Sequence, residues 1–392
     1  MNLALVTHSV RENDGQGGVN YEVVRAALRR GWRVTLLATV VAPQLLKIPE
    51  ITWIEIPAGR LPTKLLAYQV FALKSYLWLR RHRKEFDIVH VNGFITWARS
   101  DVNAVHFVHN GWLNSGYYPF SISKGLYSTY HVCFTRLNAM LEKKAFADSR
   151  VIVAVSDRVS TELRNAGVKT DIEVIYNGSD IAGFANALPN RDAFKLPTNK
   201  FLCLFVGDLR ITRKNLETVL QALVGVNDRV ELVVGGTTKG SPYPAMAAEL
   251  GLSKRVHFLG HVNDMKTLMA SVNCLVFPSR YDPFALVVLE AMAAGLPVIT
   301  SSKVGAAALV RKCGVVLEDP DDVPALTKAI TNIEGDLELR SSMRDKAKAE
   351  ALNYTWELMG EQYVDLYDRL IYGNVARERR SSGRVSEESA KT

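Results

Sequence analysis

Short apolar runs rich in valine, isoleucine and leucine alternate with helix-period patterns along most of this chain, and they do so in two series. The first comprises Leu3–Thr7, a helical Tyr21–Arg30, Arg33–Ala38, Asp87–Val91, Ala104–Val108 and Arg150–Val155. The second restarts at Phe201–Val206 and continues through Arg229–Val234, Arg255–Leu259, Cys274–Phe277 and Pro297–Thr300. Strands alternating with helices make βαβ units, so each series predicts a doubly wound α/β domain built on a parallel sheet. The expectation is two Rossmann-like domains, residues 1–184 and 201–353, facing each other across a cleft. The polar stretch Ala185–Lys200, after the turn signal Asn177-Gly178, reads as the linker. Ligands of open α/β sheets bind beyond the carboxyl ends of the strands, which puts the expected site in the cleft.

In Tyr354–Ile371, Trp356, Met359, Tyr363, Leu366, Tyr367 and Leu370 recur at helical spacing. They predict a closing helix over residues 354–376, either core packing or a strut between domains. Residues 377–392 are charged and serine-rich, and are expected to be a disordered tail.

Composition narrows the function classes. Of 392 residues, 48% are hydrophobic and 22% charged, as a globular chain with a sizeable core requires. The four cysteines are scattered, without a Cys-x-x-Cys pair, so free thiols in a reducing cytoplasm are expected. Met1–Thr7 reads as a strand rather than a signal peptide, and no apolar run is long enough for a transmembrane helix. The net charge of +8 suits an anionic partner. No nucleic-acid motif accompanies it, which leaves a membrane surface or a phosphorylated substrate.

The strongest chemical signal is Pro278–Met292, where a strand ends, Asp282-Pro283 follows, and an apolar helix begins. Asp282 reads as its N-cap and Pro283 as its first residue. Such a helix start offers free, positive amides to a diphosphate. Glu290 interrupts the apolar helix and needs a partner, which ribose hydroxyls could supply. On local grounds, a capping Asp and a solvated Glu read equally well.

The second signal is Phe205-Val206-Gly207-Asp208-Leu209-Arg210-Ile211-Thr212-Arg213-Lys214-Asn215, a strand end followed by cations. A cation there can neutralise a leaving diphosphate, although an exposed basic loop is the plainer reading. Gly15-Gln16-Gly17-Gly18 precedes a helix and suits an anion or a flexible loop. His106 and His109 lie near a strand's carboxyl end, where they are either structural or face the cleft.

Together these segments resemble the retaining glycosyltransferases of family 4 (group 1), which have the GT-B fold. Asp282, seven residues and then Glu290 resemble that family's E-x7-E region. The resemblance implies donor contacts from Phe284, Ala285, Leu286 and Glu290, with Asp282 near the donor sugar. Two departures stand out: Asp282 replaces a Glu, and Ala285 replaces a Gly. Lys214 resembles the phosphate-binding lysine, and Arg213 or Arg210 takes the place of an arginine displaced by Asp208. Gly207 ends that strand. Gly17 and Gly18 resemble the loop covering the donor phosphates, and His261 and Val262 the base site. His109, with His106 as the alternative, falls on the acceptor side. Catalytic roles are thus expected for His109, Lys214 and Asp282.

The implied activity is transfer of a hexosyl group from a UDP or GDP sugar to a hydroxyl acceptor, with retention and without metal or cofactor. Cell-surface polysaccharide or glycolipid biosynthesis is the expected setting. An epimerase or phosphorylase of the same fold, or a non-catalytic sugar-nucleotide-binding subunit, are the competing readings. Lys64–Lys84 mixes leucines and aromatics with lysine and arginine. It reads as a helix covering the first sheet or as a contact with an anionic membrane serving a lipid-linked acceptor.

Overall fold

The computed structural model describes residues 1–12, 14–57 and 63–388, with side chains through Gly373. The first half forms a seven-stranded parallel sheet from β1 (Asn2–Val6), β3 (Arg33–Ala38), β5 (Ile51–Glu55), β6 (Ile88–Asn92), β7 (Ser100–Val105), β8 (Ser149–Ala154) and β9 (Ile172–Val174). Their order is β5-β3-β1-β6-β7-β8-β9. A short pair, β2 (Ser9–Val10) and β4 (Val40–Val41), sits beyond the ends of β1 and β3. The second half forms a six-stranded sheet, also parallel, from β10 (Phe201–Val206), β11 (Val230–Gly235), β12 (Val256–Gly260), β13 (Cys274–Phe277), β14 (Val298–Ser301) and β15 (Val315–Leu317). Its order is β12-β11-β10-β13-β14-β15, so the chain reverses direction across the sheet between β10 and β13.

The central strands are apolar without alternation because both faces are covered by helices. Leu3, Leu5, Leu202 and Leu204 are completely buried. Cys203 and Cys274 are register partners on adjacent strands and remain free thiols, as does buried Cys313. Helix Lys64–His82 turns Phe71, Ala72 and Leu79 onto the first sheet and leaves Leu66, Leu73 and Leu77 outside.

Ala185–Lys200 is pinned to the second half. Arg191 donates to the carbonyls of Ser271, Pro197, Thr198 and Lys200 and to Asn273 Oδ1, and Leu196 joins the second half's core. The chain returns through the helix Trp356–Glu388, whose Met359, Tyr363 and Tyr367 complete the first half's core. Arg30 gathers Glu361, Asp365 and Asp368 along its surface. Of the expected tail, residues 377–388 continue this helix, and 389–392 lie outside the described residues. The outward and return crossings run side by side: Ser179 N donates to Tyr354 O at 3.0 Å, and Trp356 N to Ser179 O at 3.3 Å.

No helix among the described residues is long and apolar enough to cross a membrane.

Candidate active site

The loops after β10 and β13 meet at the carboxyl edge of the second sheet. Asn215, in the left-handed region at φ 67°, donates from its side chain to Pro278 O (3.0 Å) and Pro320 O (2.8 Å). Ser279 Oγ donates to Arg213 O at 2.9 Å. This bracing sets Lys214 Nζ 2.5 Å from Asp282 Oδ2. Burial raises the Asp282 pKa, but Lys214 and Arg213 outweigh it and hold the carboxyl below its ordinary value.

Asp282 is not the helix cap that the sequence suggests. Its Oδ1 accepts from Phe284 N at 3.2 Å, and the helix begins only at Leu286. The preceding residue is Ala285, at φ 69°. Pro283 therefore lies ahead of the helix, because Lys214 draws Asp282 away from the cap position. Residues 303–306 clamp this loop: Gly305 N donates to Asp282 O and Ala306 N to Phe284 O, both at 2.9 Å. A Cβ on Gly305 would strike the Pro283 carbonyl. Val288 N already donates to Ala285 O at 3.0 Å, which leaves the amides of Leu286 and Val287 without intrahelical acceptors, and Phe284 and Ala285 are buried beside them.

The three cations separate. Arg210 is exposed and committed to Asp208, with Nε at 2.9 Å and Nη2 at 2.8 Å. Arg213 Nη1 donates to Tyr281 O at 3.0 Å. Only Lys214 pairs with Asp282. Next to them, a cleft of about 340 Å³ is lined by Gly207, Arg210, Gly236, His261, Val262 and Met265. The Glu290 carboxylate has no hydrogen bond or ion pair among the described residues. Burial pushes its pKa up to about 7, against an opposing pull from Lys266.

On the first half, the two histidines differ. His106 Nε2 is buried without a partner, and burial lowers its pKa to about 4, so the ring is neutral. His109 is anchored twice by Glu142: Nδ1 lies 2.6 Å from Oε1, and the amide donates to Oε2 at 3.0 Å. Gly17 and Gly18 lie inside the first turn of helix Gly15–Arg29, not in a loop before it. Gly18 N donates to Asp14 O.

Tyr281 was not legible in the sequence as a site residue, yet it joins the halves. It is completely buried; its hydroxyl donates to Glu162 Oε2 at 2.8 Å and lies 3.3 Å from Val108 O. Phe107 and Trp112 stand 5.5 and 5.1 Å from its ring, and Arg158 covers it at 5.4 Å. Ser156 Oγ adds a bond to Pro283 O at 2.7 Å. Phe107 also lies 5.0 Å from the His109 ring and under Arg213 at 6.0 Å, so it bridges His109 to the cationic loop. Glu142 was equally unforeseen. No group of three or more potential metal ligands occurs among the described residues.

Comparison with known proteins agrees with this architecture. The family model for glycosyl transferases group 1 matches residues 188–350, and that for glycosyltransferase family 4 matches residues 13–182. The D-inositol 3-phosphate glycosyltransferase of Corynebacterium urealyticum is 26% identical over 345 residues, 79% of this chain and 77% of that protein. The structure of WaaG, a glycosyltransferase involved in lipopolysaccharide biosynthesis, superposes with a TM-score of 0.76 at 20% identity, covering 93% of this chain and 99% of that one. Anabaena HepE in complex with UDP and glucose superposes with a TM-score of 0.67 at 20% identity, covering 93% and 98%. The fold is GT-B.

Proposed function

Since the chain belongs to the group 1 glycosyltransferases and is therefore a sugar-transferring enzyme, we propose that its donor is a nucleoside-diphosphate hexose, a UDP or GDP sugar, bound in the cleft. The reaction proposed is transfer to a hydroxyl acceptor with retention, without metal or cofactor. The observation that carries this reading is the Lys214–Asp282 pair, 2.5 Å apart at the strand ends beside the start of helix Leu286–Ala293.

In this reading the base lies along His261 and Val262, and ribose hydroxyls donate to Glu290. The diphosphate meets Lys214, Arg213 and the amides from Phe284 to Leu286, with Gly207 leaving room for it and the Gly17-Gly18 turn facing it. Arg210 contributes once it parts from Asp208. A fixed ammonium and helix amides stabilise charge growing on the leaving diphosphate without reorganising. Displacement of Asp282 from Lys214 by the phosphates frees its carboxylate beside the sugar. His109, oriented by Glu142, stands on the acceptor side. HepE, solved with UDP and glucose, supports the donor class.

The proposed acceptor is a precursor of a cell-surface glycolipid or polysaccharide, which WaaG's involvement in lipopolysaccharide biosynthesis supports. Leu66, Leu73 and Leu77, exposed on a helix that also carries Lys64 and Lys74, support peripheral contact with an anionic membrane on the cytoplasmic face. Flotation with anionic but not neutral liposomes at low salt is the expected result; no flotation removes the membrane part.

The test of the donor site is thermal stabilisation by UDP, GDP and ADP. Wild type is expected to be stabilised by one of the first two, and Lys214→Ala to lose both that stabilisation and turnover. Normal nucleotide binding and turnover in Lys214→Ala would reject the site.

A further inference from the structure

A second cavity, of about 500 Å³, opens on the first half and is separate from the nucleotide cleft. Its walls include Asn110, Asn114, Tyr118, Phe120, Val132 and Arg136. Two of these rings are fixed in place. Tyr118 donates its hydroxyl to His131 O at 2.9 Å, and Phe120 stacks on His131 with centroids 4.3 Å apart and planes 10° off parallel. Trp112, on the same short helix as Asn110, stands 5.7 Å from Tyr118 and 5.1 Å from Tyr281, so the cavity wall continues into the cluster that joins the halves. Rigid aromatic walls with a few convergent polar groups describe a small-molecule site.

Arg136 supplies the charge. It is exposed, lines the cavity, and has no hydrogen-bond or ion-pair partner among the described residues. Its helix, Leu126–Ala147, also carries Glu142, the carboxylate that holds His109. Arg136 and Glu142 are six positions apart on the helix, an axial distance of about 9 Å. Asn110 follows His109 directly in the chain and lines the cavity. One end of an occupant would therefore meet a guanidinium, and the other would approach His109.

We infer that this cavity is the acceptor subsite and that it selects an acceptor carrying a phosphate group, held by Arg136, with the reacting hydroxyl directed toward His109. The inference rests on the transferase reading of the cleft and adds the acceptor's chemical class. A guanidinium matches phosphate geometry with paired, charge-assisted hydrogen bonds. A soluble sugar phosphate and a phosphate-bearing lipid headgroup share that chemistry.

The test uses the full chain saturated with UDP or GDP, so that the donor site is closed to added phosphate. One arm titrates glucose 6-phosphate against glucose; the other measures binding to vesicles of phosphatidic acid in phosphatidylcholine against phosphatidylcholine alone. Preference for the phosphorylated probe that is lost in Arg136→Gln is expected in one arm, which identifies the source, whereas attraction of the anionic vesicle to helix Lys64–His82 survives that substitution. Arg136→Gln should weaken that binding at least about tenfold and Arg136→Lys less. Lys143→Gln, the same charge loss on the same helix, should leave it unchanged. Equal binding by wild type and Arg136→Gln, or no phosphate preference in either arm, overturns the inference. Nucleotide stabilisation read in the same samples separates the two claims: its absence from wild type counts against the donor reading, whereas its retention with binding indifferent to residue 136 removes the acceptor subsite alone.

Discussion

Tyr281, set between Arg280 and Asp282 in the second half, donates its hydroxyl to Glu162 of the first half at 2.8 Å. Burial pushes the Glu162 carboxyl above its ordinary range, against the pull of Arg158 and the tyrosine hydroxyl. Tyr281→Phe keeps the ring contacts and removes that hydrogen bond. The expected cost is about 1–2 kcal/mol, read as a lower unfolding midpoint. Because the bond spans the halves, kcat should fall as well, and small-angle scattering should show a more open particle. An unchanged midpoint together with unchanged scattering would remove Tyr281 from this role.

Glu290 makes stability and nucleotide affinity respond to pH in opposite senses. Its carboxyl titrates near 7 in the folded protein and near 4.5 in the unfolded chain. The folded state holds the proton more tightly, so the stability tied to that proton is complete below 4.5 and is lost as pH rises through 7. Glu290→Gln should therefore gain stability relative to wild type between pH 5 and about pH 8. In the proposed site, the ionised carboxylate is the better acceptor for ribose hydroxyls. Wild-type affinity for the nucleotide sugar, whose doubly esterified diphosphate has no proton to lose in this interval, should rise with pH, while Glu290→Gln binds it about tenfold more weakly with a flat profile. A pH-sensitive glutamine variant would contradict this.

Ala285 occupies backbone that L side chains avoid, at φ 69° and ψ 82°. Ala285→Gly should stabilise the protein by about 1 kcal/mol, the left-handed penalty less the entropy glycine adds to the unfolded chain. In a chain of this length, calorimetry should show a rise of about 1–2 °C. A fall would mean that the Ala285 methyl is worth more in packing than its backbone costs.

Glu142→Gln probes the support of His109. Both carboxylate oxygens accept, one from the ring and one from the amide of His109. Glutamine has one accepting oxygen, so if that oxygen keeps the His109 amide, the ring bond survives only with the amide NH2 donating and Nδ1 unprotonated, the opposite tautomer. The expected outcome is a kcat reduced about tenfold or more with nucleotide affinity within about twofold of wild type. Equal losses in both would point to general destabilisation.

The two sheets were readable because parallel strands buried on both faces appear as uninterrupted apolar runs, as in Leu3–Val6 and Phe201–Val206. Two of the edge strands were not: β9 and β15 are three residues each and carry no period. Glu290 was visible because its charge breaks an apolar helix, Asp282 because Asp-Pro marks a helix start, and Lys214 through the family resemblance, since locally it is one of three cations in a basic loop. The cap reading of Asp282 failed because a local Asp-Pro signal lost to a lysine 68 positions away. Tyr281 and Glu142 were invisible for the same reason. Their partners lie 119 and 33 residues away, and nothing beside them in the chain distinguishes a loop tyrosine or a helix glutamate from its surface counterparts.

The paired crossings at Ser179 and Thr355 bind the halves like a spine binds two covers. A single connecting strand permits swivelling in any direction, whereas two strands hydrogen-bonded edge to edge yield along one axis and resist torsion. Turning of one half on the other is restrained accordingly, with Tyr281 seated against Glu162 and Val108. The chain is also knit so that the first half is not separable: cutting after residue 353 would strip Met359, Tyr363 and Tyr367 from the core of the half that is made first.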